Sequence, residues 1–102
     1  MLHGNAETLV LALLAEDEQY GYRMRRELAT RSRHYFFVAF GRLYPLLATM
    51  ERRGLVRARW VKAGKSRQRK HYGITAKGRA ELRERKLRWR QFREAMDRVL
   101  GG

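Results

Sequence analysis

Between positions 62 and 70 the chain places five cations, Lys62, Lys65, Arg67, Arg69 and Lys70, on a short polar segment that contains Gly64. Guanidinium and ammonium groups gathered in this way bind phosphate, through their charge and through the hydrogen-bond donors they carry. A generic basic loop is the plainer reading of the cluster. Other chemistries lack their residues. With no cysteine, disulfides, thiolate metal sites and thiol nucleophiles are excluded. His3, His34 and His71 are too scattered for an obvious triad or zinc site, and no phosphate-cradling glycine loop occurs. The expectation is a protein that is not an enzyme and uses no metal or cofactor.

The remaining charge points the same way. Over 102 residues there are 24 Lys and Arg against 10 Asp and Glu, a net charge of +14. Residues 1–50 hold six basic and five acidic side chains, whereas residues 51–102 hold 18 and five. Nearly all the positive field therefore belongs to the second half, beyond the roughly 2–8 charges that solubility asks of a small domain. That asymmetry implies a polyanionic partner, nucleic acid foremost. The length implies one domain with a modest core, of the size that often gains stability from a partner. The longest apolar run, Leu9–Ala15, is far short of the ~18 residues that span a bilayer, and no basic stretch precedes it as in a secretory signal. A cytoplasmic protein without a membrane partner is expected.

Five pieces must position these side chains. Ala6–Ala15, rich in Leu and Ala, predicts a helix with Asn5 as its N-cap and Glu7 in its first turn. Apolar on almost every side, it must be buried, in the core or against a second subunit. Tyr20–Arg31 sets Met24 and Leu28 four apart among Arg23, Arg25 and Arg26, a short amphipathic helix with a basic exposed side. In Phe40–Arg53, Leu43, Leu46, Leu47 and Met50 fall on one helical stripe, with Gly41, Pro45, Ala48, Thr49 and Arg52 opposite. A start near Ala39–Gly41 puts Pro45 where helical N–H groups lack partners, and Gly54 suits the position just past the end. Leu55–Val61 has strand composition, with Arg57 and Arg59 alternating outward, and Lys70–Ile74 reads likewise. The basic segment then becomes the tip of a β-hairpin. Thr75 caps a last helix running to Leu100, on which Leu82, Trp89, Phe92, Met96 and Val99 form a short apolar seam. At ~36 Å that helix outreaches the small domain, so its two aromatics need a second surface.

Three helices followed by a hairpin describe a winged helix-turn-helix. The expected fold is mainly α, with a two-stranded β-wing and a C-terminal dimerisation helix. Residues 1–75 form the DNA-binding domain, and 76–102 the dimerisation helix packed on the same domain. In this fold the third helix enters the major groove of double-stranded DNA by its N-terminal end. The cationic wing reaches phosphates or an adjacent minor groove.

Gly41-Arg42-Leu43-Tyr44-Pro45-Leu46-Leu47, then Met50-Glu51-Arg52-Arg53-Gly54-Leu55-Val56, resembles the PadR-family pattern G-T-L-Y-P-x-L-x-x-L-E-x-x-G-L-(I/V). The resemblance extends upstream to Glu7–Leu14 and Tyr20-Gly21-Tyr22, and downstream to Arg69–Arg79, so it covers about residues 4–100. The pairing of G-x-L-Y-P with R-K-x-Y-x-(I/L)-T-x-x-G is specific, whereas either motif alone is weak. The resemblance implies a homodimeric bacterial transcription regulator, usually a repressor, with one short C-terminal dimerisation helix. That helix packs on the partner subunit, often on its N-terminal helix, and the two recognition helices address a pseudo-palindrome. Leu9, Leu13, Leu82, Trp89, Phe92, Met96 and Val99 are the matching dimerisation candidates. Some relatives bind flat aromatic effectors at the dimer interface, where Trp89 is the residue that would stack on one; dimer packing is its plainer role. Three departures stand out. Ala39-Phe40 replaces the usual Ser-Pro pair, Arg42 replaces the family threonine, and the wing is more basic.

Arg42 is the candidate for base readout, since a guanidinium forks onto guanine O6 and N7 or swings to a phosphate. Thr49 is second, on the same outward side. An ordinary surface arginine is the plainer reading of Arg42. Tyr44 and Tyr22 either donate to the DNA backbone or pack half-buried. Lys65, Arg67, Arg69 and Lys70 supply sequence-independent binding. Two other functions compete. A basic RNA- or nucleoid-associated architectural protein without sequence readout is favoured by charge alone. The chain lacks the aromatic-studded sheet of an RNA-recognition motif, however, and the strands of an OB fold. A winged helix used for protein interaction has no need of such charge in one half.

Overall fold

The computed structural model describes residues 2–37 and 40–101, with side chains for 5–37 and 41–101. The elements run α1 (Leu2–Glu16), β1 (Gln19–Tyr20), α2 (Gly21–Arg31), α3 (Phe40–Arg52), β2 (Val56–Lys62), β3 (Gln68–Ile74) and α4 (Ala76–Leu100). Helices α1–α3 followed by the β2–β3 hairpin make the winged helix-turn-helix, and α4 leaves it as a long arm. Ala39, one expected start of the third helix, and the side chain of His3 lie outside the described residues.

One core holds these elements together. Val10, Leu11, Leu13 and Leu14 of α1 pack with Met24 and Leu28, with Leu43, Leu47 and Met50 of α3, and with Leu55, Val56, Tyr72, Ile74 and Leu82. The apolar first helix is thus buried mainly in its own chain. It starts earlier than its residue types suggest: the ladder already runs through Asn5, so Asn5 lies within α1 and is not its N-cap. Gly4 costs such a ladder only ~1 kcal/mol, too little to stop it.

Two further local expectations change. The sheet has three strands in the order β1-β3-β2, because Gln19 and Tyr20 pair antiparallel with Tyr72 and His71. A two-residue strand carries no periodicity of its own, and Gln19 is buried there because its Nε2 donates to the Leu13 and Asp17 carbonyls, closing the end of α1. The hairpin also pairs further out, from Val56↔Ile74 to Lys62↔Gln68, leaving a loop of 63–67 closed by the Ala63 N–H donating to Arg67 O at 3.0 Å.

Pro45 is the sixth residue of α3 and lies past the helix's free N–H groups. The bond it cannot make would go to the carbonyl of Gly41, an exposed residue, so the missing bond falls on the solvent side of the helix. Gly54 takes a φ of +78° just beyond α3, as its position suggested. In the helix-turn-helix corner, the Ser32 hydroxyl donates to Leu28 O and accepts from Phe36 N–H.

Thr75 caps α4 as expected, accepting the Gly78 N–H at 2.9 Å, and Gly101 ends it at φ +82°. The start of α4 lies so close to the sheet that a Cβ on Gly78 would collide with the Leu55 carbonyl oxygen. Gly78→Ala is therefore expected to lose about 2 kcal/mol. Helix propensity returns ~1 kcal/mol, but overpacking against an immovable backbone atom costs about 3 kcal/mol. A denaturant midpoint at or above wild type would contradict this packing. Beyond Arg85 every described residue of α4 is exposed. The radius of gyration is accordingly 15.2 Å, against about 13 Å for a compact chain of this length.

Candidate nucleic-acid interface

Helix α3 turns Leu43, Leu47 and Met50 inward and leaves Gly41, Arg42, Tyr44, Pro45, Ala48 and Arg52 exposed. Arg42 stands in the first turn, away from every described carboxylate within ion-pair distance. Thr49 lies seven residues on, ~10 Å along the same side. It is half-buried, and its hydroxyl is engaged locally, donating to Pro45 O and accepting from Arg52 Nη2, both at 3.1 Å. Of the two base-readout candidates, Arg42 is the one projecting beyond the helix.

Beside α3 runs a groove of about 690 Å³, lined by Tyr20, Tyr22, Tyr44, Ala48, Trp60, Gln68, Arg69, Lys70 and Tyr72. It joins the start of α2, the outer side of α3 and the wing strands. Gly21 lets the Tyr44 ring lie directly against the start of α2: a Cβ there would meet the Tyr44 hydroxyl oxygen at 2.6 Å and push that ring aside. Tyr22 and Tyr44 are both about half exposed on the groove walls. Burial raises the Tyr72 phenol above its ordinary pKa, with Glu51 and Tyr44 adding to the effect. Trp60, 62% exposed, went unassigned from sequence. The signal was present in the two-residue alternation of β2, which puts Trp60 on the face of Val56 and Ala58, opposite Lys70.

The four wing cations expected to bind phosphate, Lys65, Arg67, Arg69 and Lys70, separate into two kinds. Lys65 and Arg67 occupy the exposed loop with no ion pair to a described residue. Arg69 and Lys70 belong to β3 instead. The Arg69 guanidinium sits 4.5 Å over the Tyr20 ring. Lys70 lies about 6 Å from the Trp60 and Tyr72 rings, with its Nζ 3.7 Å from Glu51. Elsewhere acids and arginines neutralise one another. Asp17 pairs with Arg23, Glu16 and Glu27 with Arg31, and Glu18 with Arg59. The Arg59 hydrogen bond holds Glu18 below its ordinary range. His71, 3.9 Å from Glu18 and 5.4 Å from the Tyr20 ring, belongs to this structural cluster. Among the described residues, exposed cations outside any ion pair remain at the wing tip and the start of α3, and also along α4 at Arg83, Arg90, Arg93 and Arg98.

The seven dimerisation candidates also divide. Leu13 and Leu82 are buried in the core of their own chain, with 5% exposure each, and Leu9 packs partly against it. Their side chains are spent within the protomer. Trp89, Phe92, Met96 and Val99 are 43–86% exposed along the outer half of α4, with Trp89 stacked on Phe92 at 5.8 Å. They prolong the helix face that Gly78 and Leu82 bury further back.

Among the described residues no helix is long and apolar enough to cross a membrane, and no cluster of His, Asp and Glu is arranged to hold a metal. Comparison with known proteins gives a consistent result. Residues 10–84 match the transcriptional regulator PadR-like family. A PadR-like transcriptional regulator from Bacillus cereus is 30% identical, superposes with a TM-score of 0.86, and is matched over 100% of this chain and 97% of its own. A PadR family regulator from Eggerthella lenta is 32% identical with a TM-score of 0.82, over 96% and 83% of the two chains. Bacillus subtilis PadR, solved in complex with operator DNA, shares the fold at 23% identity and a TM-score of 0.73, over 78% of this chain and 44% of its own. With the family motif spanning the helix-turn-helix, the wing and the start of α4, this chain belongs to the PadR-like family of transcriptional regulators and is not an enzyme.

Proposed function

We propose that the protein is a homodimeric repressor that reads a pseudo-palindromic operator in double-stranded DNA. The observation that carries this reading is the exposed first turn of α3, with Arg42 at its tip, flanked by the aromatic groove and by a wing whose loop cations are uncompensated. α3 enters the major groove, Tyr22 and Tyr44 donate to the backbone at its edge, and Lys65, Arg67, Arg69 and Lys70 hold the phosphates alongside. Trp89, Phe92, Met96 and Val99 meet the same surface of a second copy, pairing the two α3 helices. A flat aromatic effector slotting against the Trp89–Phe92 stack would change that pairing and release the operator.

The test is selection of bound duplexes from a random pool at raised salt, followed by titration of Arg42→Ala on the recovered site. An inverted repeat is expected. Arg42→Ala should cost about 1–3 kcal/mol and relax discrimination at one base per half-site. Uniform loss across site variants would remove Arg42 from readout. Recovery of no motif, with RNA bound as tightly as duplex DNA, would favour the architectural alternative.

A further inference from the structure

Glu7 was expected in a first turn, where its role would be to favour a helix N-terminus. It stands instead in the interior of α1, and its carboxylate joins three helices. Arg53, just past α3, donates to both oxygens at 3.1 and 3.3 Å. Arg85 of α4 donates to Oε1 at 2.6 Å, while its other nitrogens reach Glu81 at 2.8 Å and Thr8 at 3.3 Å. Glu7 and Arg85 are each only 15% exposed at the side chain, so solvent and salt screen this link less than the surface pairs. Lys77 adds a second strap, its Nζ donating to Arg53 O at 2.7 Å.

The place of this bridge matters more than its strength. Arg85 occupies the seam face of α4 between Leu82, which faces the protomer's own core, and Trp89, which is bare. Arg53 closes the end of α3, the helix with Arg42 at its other end. Apolar packing is non-directional and tolerates small rotations, whereas charge-assisted hydrogen bonds fix an angle. From Arg85 to Val99 the arm is ~21 Å long at 1.5 Å per residue, so a slack of about 5° at its root moves the tip by ~2 Å. In a dimer the two protomers together displace the recognition helices by ~4 Å, about one 3.4 Å base step.

We infer that Glu7 is a positioning residue that sets the angle between α3 and α4, and with it the half-site spacing the dimer accepts. The inference rests on the dimeric operator reading proposed above. It is tested with the full chain on the selected operator, with the spacer between half-sites shortened or lengthened by one base pair. Wild type should lose roughly tenfold or more for either change, because paired recognition helices demand a fixed separation. In Glu7→Gln that penalty should shrink to within about threefold, while discrimination against base changes inside a half-site stays as in wild type. Arg53→Gln, which cuts only the α3 arm of the bridge from a more exposed position, should relax spacing in the same direction and guards against a folding defect in the first variant. If both variants keep the wild-type spacing penalty, or weaken all spacers alike, Glu7 is merely structural and the inference falls. If wild type itself ignores the spacer, the dimeric reading fails first, and that result is distinguishable because it appears before any substitution.

Discussion

Affinity for duplex DNA is expected to fall about ten-thousand-fold between 50 and 200 mM salt. If two wings and two recognition helices make ~8 phosphate contacts, the slope of log affinity against log salt is roughly −7. The structural ground is the distribution of ion pairs. The acids near α2 and the sheet are matched to arginines, whereas Lys65 and Arg67 face solvent with no described carboxylate beside them. Their counterions are therefore available for release. Arg67→Gln should weaken all sequences alike and reduce the slope by about 2, one contact from each protomer. Arg59→Gln is the useful contrast, because that guanidinium is committed to Glu18 and should barely change the slope. A wild-type slope near −2 would remove the wing from phosphate binding.

If the protein pairs as proposed, Phe92→Glu is expected to convert the dimer to a monomer and to weaken operator binding by about 10²–10⁴-fold, the loss that follows when two linked half-site contacts become independent. Phe92 is 56% exposed and packs on Trp89 rather than on the core, so the monomer should fold with a denaturant midpoint close to wild type. A carboxylate at the centre of an apolar seam, however, must be desolvated each time two copies meet. Sedimentation velocity checks the assembly, and titration on one half-site against the full operator checks the affinity. A variant that sediments as a dimer would show that another surface joins the protomers. Leu82→Ala makes the complementary case. That side chain is buried at 5% exposure, so its loss should lower folding stability by ~2–5 kcal/mol before it affects pairing.

Much of this architecture was legible because it is local. The stripe Leu43, Leu47 and Met50, the Gly54 terminus and the Thr75 cap each follow from residue types within a turn or two of one another. The basic wing is equally visible, since charge depends on composition and not on packing. Trp60 was less so. Its alternation assigns a face to its side chain, yet the groove it lines needs Tyr22 and Tyr44, which arrive from helices earlier in the chain. The dimerisation candidates show the same limit: Leu82 and Trp89 share one seam face, but α1 covers the first turns of α4 and ends before the last.

The sequence by itself determined the types of the four helices and the two hairpin strands, the outward side of α3, the concentration of charge in the second half, and the family to which these belong. Tertiary structure decided which apolar residues remain bare, that Gln19 and Tyr20 add a third strand, and that Glu7 bridges Arg53 and Arg85 across 46 and 78 positions of chain. The physical reason is that periodicity and capping are set by neighbours a few residues apart. A carboxylate's partners, and the depth to which a side chain is buried, are set by whichever distant segments the collapsed core brings against it.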